Sequence, residues 1–282
     1  MKIVSFNVNG IRARLHQLVE LVKVHMPDVI ALQETKVHDD QFPYSDIEEL
    51  GYHVRCFGQK GHYGVALLSR VEPLAVEYGF PHDDPHDNSK AQRRLIYAEY
   101  PTPAGSSIKV FNGYFPQGEK REHPVKFPAK EKFYADLTHM LQSHLCAPGL
   151  VAVVGDMNVA PEAADIGIGA DNAKRWLRQG KCCFLPEERA WLATLMGVGL
   201  HDTYRSCHPD AAQLDPATTG IYSWFDYRSR GFERDPKRGL RIDLVLANSA
   251  LQHHCRTAGI DYNIRAMDKP SDHCPIWAEF DI

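Results

Sequence analysis

The sequence predicts a layered α/β sandwich, in which β-sheets pack on each other and helices lie outside. Three observations lead there. Short runs rich in β-branched and aromatic residues recur along the whole chain, bounded by turn residues. Several of them stay apolar on both faces before ending in a polar residue, the pattern of a sheet that is covered on both sides. Helical periodicities are spaced between the strands and are not collected in one half of the chain. The strand-like runs are 3–7, 29–34, 63–69, 95–100, 108–114, 151–156, 242–247 and 274–280.

The helices follow from spacing. Ile11, Leu15, Leu18, Val19 and Val22 keep a 3.6-residue period, as do Phe133, Leu137 and Leu141, and Pro186-Glu187-Glu188 makes a good first helical turn. No linker or repeat divides the chain, so residues 1–282 read as one domain. A doubly wound dinucleotide-binding sheet is the alternative. Its fingerprint fails, because the GIG at 167–169 lacks the third glycine and follows no clear strand.

The 282 residues are 44% hydrophobic and 24% charged, with 20 glycines and 18 prolines, which excludes collagen-like, disordered and low-complexity classes. The longest apolar run centres on residues 150–154, far short of the ~20 needed to cross a bilayer, and the first residues carry no signal-peptide pattern. Seven scattered cysteines without a C-x-x-C fit reduced thiols, and so a cytoplasmic protein. Net charge is −4, which excludes a globally basic coat for nucleic acid. Local basic runs persist nonetheless: 174–181 (KRWLRQGK) has four basic and no acidic side chains, and 226–241 has six basic against three acidic. They would form a phosphate-tracking surface if the fold placed them on one face.

The chemistry collects at strand ends: Asn7, Glu34, Tyr114, Asp156 with Asn158, Asp243, and Asp272 with His273. A carboxylate closing an apolar strand must sit at a sheet rim or reach a partner, since an unpaired buried carboxylate costs several kcal/mol. Carboxylates and amides gathered at one rim make a hard-oxygen site suited to Mg²⁺ or Mn²⁺ and not to zinc. Asp156 and Asn158 alternate along an extended chain and so share a side. Asp272 and His273 are neighbours whose side chains diverge. Asp243, in an otherwise apolar strand, is therefore the best candidate to orient His273.

The segments NVNGIRAR (7–14), LQETK (32–36), GYFPQG (113–118), GDMN (155–158), WFDYRS (224–229), LRIDLVLA (240–247) and SDH (271–273) closely resemble the exonuclease III family of apurinic/apyrimidinic endonucleases, and the resemblance runs from Lys2 to Phe280. That family is a branch of the endonuclease/exonuclease/phosphatase superfamily. GDMN and SDH alone would indicate only the superfamily; WFDYRS and LRIDLVLA point to the DNA-repair branch.

The resemblance implies a four-layer sandwich and Mg²⁺- or Mn²⁺-dependent hydrolysis of phosphodiesters in duplex DNA at abasic sites and blocked 3′ ends, in the cytoplasm and associated with the nucleoid; no unpaired amphipathic repeat in the sequence suggests anything but a monomer. It implies Glu34 as principal metal ligand with Asn7 beside it, and Asp272, Asp156 and Asn158 as further members of the metal set. Asp156 is then the base or leaving-group acid, and Asn158 orients water or phosphate. Tyr114 and Gln117 face the phosphate and the strand backbone, while His273, held by Asp243, stabilises the developing charge or assists as base. Trp224 and Phe225 read as adjacent exposed aromatics walling a pocket for a baseless sugar, with Arg228 nearby. Arg93, Arg94, Lys174, Arg175 and Lys181 read as DNA-backbone contacts. The loops 83–90 and 208–220 look longer than is usual in the family and are expected to border the DNA surface. Two other functions compete: a phosphatase of the same superfamily acting on lipid or small phosphoesters, and a DNA-end-binding module without catalysis.

Overall fold

The computed structural model describes residues 1–83, 92–212 and 221–282. Twelve strands among them build two six-stranded sheets. The first contains β1 (Lys2–Asn7), β2 (Val29–Gln33), β3 (His53–Phe57), β4 (Val65–Ser69), β11 (Cys255–Ile260) and β12 (Ile276–Phe280), in the order β11-β12-β1-β2-β4-β3. The second contains β5 (Ala75–Tyr78), β6 (Leu95–Pro101), β7 (Ser107–Tyr114), β8 (Leu150–Asp156), β9 (Leu200–Asp202) and β10 (Asp243–Asn248), in the order β5-β6-β7-β8-β10-β9.

Three hydrophobic layers hold the sheets and helices together, and strand alternation explains them. Ile3, Val29, Ala31 and Leu67 of the first sheet meet Ile96, Val110, Ala152, Val154 and Val245 of the second in a buried layer between the sheets. The opposite faces of the same strands are buried as well. Val4, Phe6, Ile30 and Leu32 pack against Leu18 and Leu21 of α1 (Leu15–His25), in a layer that Ile47 of α2 (Tyr44–Glu48) joins. Phe111, Val151 and Val153 pack against Leu137 and Leu141 of α3 (Lys126–Leu145), with Leu192 and Leu195 of α5 (Pro186–Met196). Helix, sheet, sheet, helix is the four-layer order expected, and it explains why the central strands are apolar on both faces.

The topology delivers the polar strand ends to one rim. Strands β1 and β2 pair in parallel with Asn7 opposite Gln33, and β7 and β8 pair in parallel with Tyr114 opposite Asp156. Helices α1 and α3 make the crossovers, so each pair of strands ends at the same edge. Strand β10 runs antiparallel to β8 and begins there, with Asp243 opposite Asp156. Gly155 lets β7 and β8 close up at this end. Its φ is +143°, and a Cβ on it would stand 1.9 Å from the Gly113 carbonyl oxygen.

All seven cysteines are free thiols. No helix among the described residues is long and apolar enough to cross a membrane. Most of the two loops expected at 83–90 and 208–220 lies outside the described residues.

Candidate active site

Asn7, Glu34, Tyr114, Asp156, Asn158, Asp272 and His273 line one cavity of about 190 Å³ at the shared strand rim, together with Gln117, Trp176, Cys183, Trp224 and Ile242. The backbone is bent to bring them there. Asn9, Glu34, Lys36, Asn158 and Cys183 all have φ between +45° and +101°, a region that side-chain-bearing residues avoid and that surrounding structure must enforce.

Asp156 is the hub. Its Oδ2 accepts from Asn7 Nδ2 at 3.0 Å and from Asn158 Nδ2 at 3.1 Å, while Oδ1 accepts the Asn158 N–H at 3.0 Å. His273 Nε2 lies 3.8 Å from Asp156 Oδ2. On its other side, His273 Nδ1 meets Asp243 Oδ2 at 2.9 Å, so the structure brings this carboxylate and imidazole together. Ser223 fixes the carboxylate: its Oγ donates to Asp243 Oδ2 at 2.6 Å and accepts the Asp243 N–H at 3.0 Å. Asp156, Asp243 and His273 lie close enough to form a buried group that could hold a metal ion.

The electrostatics follow from burial and neighbours. Burial would depress the His273 pKa, but the flanking Asp243 and Asp156 outweigh it and raise the imidazole to about 10, so it is cationic at neutral pH. Burial pushes Asp156 up to about 7 against the opposing pull of His273, with Asp243 and Glu34 raising it further. Burial and Glu34 hold the Tyr114 phenol well above its usual value, which keeps it a neutral donor, and it donates to Glu34 Oε1 at 2.5 Å. Lys36 Nζ lies 3.7 Å from Glu34 Oε2 and also binds Asn9 Oδ1. Asp272 accepts from Asn9 Nδ2 at 2.7 Å and from Trp224 Nε1 at 3.0 Å. Glu34, Asp156 and Asp272 thus bring carboxyl oxygens, and Asn7 and Asn158 amide oxygens, to one cavity, and oxygen donors of this kind are the set that a hard divalent cation takes.

A second cavity, of about 460 Å³, shares Trp176 and Trp224 with the first and is lined by Arg175, Lys181, Arg228, Arg234 and Arg238. The two basic runs thus reach one cleft. Arg175 and Trp176 sit on α4 (Ala170–Arg178), and Lys181 Nζ lies 5.1 Å from the centre of the Trp176 ring. Lys174 is exposed on α4 but does not line this cleft.

Residues 4–273 match the family model described as Endonuclease/Exonuclease/phosphatase family. The chain belongs to this family. It is 54% identical to Exodeoxyribonuclease III of Haemophilus influenzae over 280 residues, covering 99% of this chain and 100% of that protein. A Neisseria 3′ phosphatase solved with product DNA hairpin superposes with a TM-score of 0.86 at 36% identity, and an AP endonuclease from Archaeoglobus fulgidus with 0.85 at 36%; both cover 100% of each chain. Within the endonuclease/exonuclease/phosphatase family these relatives make this chain a nuclease.

The structure corrects three of the sequence expectations for this family member. Phe225 is not an exposed wall: it is fully buried, with its ring edge-on to Phe232 and Tyr262. Trp224, half-buried, faces the cavities alone of the two. Arg94 is not a backbone contact either. Its buried guanidinium stacks on Tyr63 and Tyr114, at 4.7 and 4.6 Å from the ring centres, and donates to the Tyr114 carbonyl, so it braces Tyr114. Arg93 turns the same way, binding Asp39 Oδ2 at 2.8 Å and the Gly58 carbonyl at 2.7 Å. Sequence reasoning missed Trp176, which an aromatic inside a basic run could have signalled. It also missed Ser223, Asn9 and Lys36, whose roles depend on contacts distant in sequence.

Proposed function

We propose that this chain is a Mg²⁺- or Mn²⁺-dependent DNA-repair nuclease acting through one catalytic domain, residues 1–282. It incises duplex DNA on the 5′ side of an abasic site, and removes nucleotides and blocking phosphates from 3′ ends. It works as a monomer in the cytoplasm, at the nucleoid. The observation that carries this reading is the junction of the carboxylate–imidazole cavity with an arginine-lined, tryptophan-walled cleft, which a nuclease acting on a DNA backbone needs and a phosphatase of small esters does not.

Asn7, Glu34 and Asp272, with Asp156 and Asn158 beside them, would hold the cation. When bound, it supplies charge relief on a phosphate oxygen and a more acidic water. The chain's own groups do the rest. His273, cationic between Asp243 and Asp156, faces negative charge building on the non-bridging oxygens. Asp156, its carboxyl raised by burial, can carry a proton near neutral pH and so serve either as base toward the attacking water or as acid toward the departing 3′ oxygen. The Asn158 carboxamide, the Tyr114 phenol and Gln117 orient the phosphate.

Trp224 selects and does not react, since an indole offers neither a transferable proton nor a hard ligand. Its face favours a sugar without a base, which fits beside it with no base to unstack. Trp224→Ala is expected to lower incision at abasic sites more than 3′-phosphate removal from a duplex end. Kinetics on those two substrates check this, and equal losses would make Trp224 a general positioning residue. The cleft is expected to bind phosphates electrostatically. Neutralising Arg175, Lys181 or Arg228 should each reduce the slope of log K against log salt by about 0.9 in a titration with duplex DNA, and an unchanged slope removes that residue from the interface. Turnover of inositol phosphates with indifference to DNA would overturn the nuclease reading in favour of a phosphatase.

A further inference from the structure

Behind the cavity, Lys130 of α3 and Glu188 of α5 form an ion pair with both side chains at 0% exposure and Nζ 2.5 Å from Oε1. The rest of their hydrogen-bonding capacity goes to loop backbone. Lys130 Nζ donates to the carbonyls of Asn158 at 2.8 Å and Gln117 at 3.3 Å, which with Glu188 uses all three ammonium donors. Glu188 Oε2 accepts the N–H groups of Cys183 and Leu185, both at 2.8 Å. Three loops are thus tied at one buried point, and each presents a residue to the active cavity: Gln117, Asn158 and Cys183. Tyr134, one turn along α3 from Lys130, adds a fourth tie by donating to the Met157 carbonyl at 2.8 Å.

Stability alone does not account for this arrangement. Removing two charges from water offsets most of their attraction, and apolar side chains of similar volume hold two helices together about as well. What an ion pair adds is direction. Asn158 and Cys183 sit at φ +53° and +101°, conformations that persist only where the surroundings over-determine them. The pair grips the carbonyl of the one and the N–H of the other. The Asn158 carboxamide, aimed at Asp156 Oδ2 and the Phe115 carbonyl, depends on that grip for its direction.

We propose that Lys130 and Glu188 are positioning residues for phosphodiester cleavage: without touching the phosphate, they set the places of Asn158 and Gln117 across the cavity. This rests on the nuclease reading above. A displacement of about 1 Å at reacting groups costs on the order of 100-fold in rate. DNA binding in the arginine-lined cleft involves neither residue.

The test is the double variant Lys130→Met/Glu188→Gln, which removes both charges while keeping volume and leaving no orphaned ion. Melting and near-ultraviolet circular dichroism should show a folded protein. The kcat for abasic-site incision should fall about 100-fold, while KM and the Kd for abasic duplex measured in EDTA stay within about threefold. Lys132→Met, at an exposed position on the same helix, should leave kcat unchanged. A folded double variant with wild-type kcat, or with kcat and affinity falling together, overturns the proposal. If the double variant does not fold, Glu188→Gln alone decides, since it removes the charge that fixes the Lys130 ammonium against the Asn158 and Gln117 carbonyls: a kcat loss of at least about tenfold at constant KM is expected, and no loss or a parallel loss overturns the proposal. The wild type separates the two readings. A wild type that incises no DNA overturns the nuclease reading and the proposal with it, whereas an active wild type with an equally active variant overturns the proposal alone.

Discussion

His273→Ala and Asp243→Ala are each expected to lower kcat for abasic-site incision by about 10³-fold or more, and the double variant by little beyond either alone. The imidazole lies between two carboxylates, with Nδ1 2.9 Å from Asp243 Oδ2 and Nε2 3.8 Å from Asp156 Oδ2. Without Asp243 the ring loses its orienting acceptor and the larger part of what keeps it charged in a buried setting. Without His273, Asp243 has nothing at the cavity left to orient. Each replacement therefore removes the same function, and single-turnover rates for the four proteins should show strong non-additivity. Losses that multiply would contradict the pairing. Ser223 sharpens the test: because its hydroxyl holds the Asp243 carboxylate at 2.6 Å, Ser223→Ala should produce a milder loss of the same kind.

Glu34→Ala is expected to cost about 10³-fold in kcat and to raise the Mg²⁺ concentration needed for half-maximal rate, with the fold intact. Glu34 stands at the end of a fully buried strand, at φ +52°, and the neutral Tyr114 phenol donates to it while Lys36 lies close by. Both neighbours hold the Glu34 side chain at the rim, where its oxygens can accept a cation. A Mg²⁺ titration of rate for wild type and variant reads the effect directly. An unchanged half-saturation point would remove Glu34 from the metal site. Mn²⁺ should replace Mg²⁺ after chelation, and Zn²⁺ should do so poorly, because the donors are oxygens.

The eight strands legible in the sequence are the eight interior strands of the two sheets. The four missed, β3, β5, β9 and β11, are the four edges. The physical reason is that an edge strand need bury only part of its surface. In β5 none of the four residues is fully buried, and in β11 one of six is, so neither carries the apolar run that marks a central strand. The rim groups were legible because a carboxylate or amide after four buried apolar residues stands out against its run. Phe225 and Arg94 misled for the converse reason. A WF dipeptide does not reveal which ring turns inward, and an arginine pair between polar loop and strand does not reveal that one guanidinium is stacked between two tyrosines. Lys130 and Glu188 look in sequence like ordinary charges on helical surfaces. Only the packing of α3 on α5 shows that they face each other and are fully enclosed.

Metal-assisted incision of DNA beside a missing base can be read by incubating the purified protein with two end-labelled duplexes, one carrying a single abasic-site analogue and one intact, each with Mg²⁺ or with EDTA. Rapid, single-position cleavage on the 5′ side of the analogue is expected in Mg²⁺, with slower loss of nucleotides from the 3′ end of the intact duplex and neither reaction in EDTA. Full cleavage in EDTA, or an abasic duplex left uncut in Mg²⁺, would contradict it.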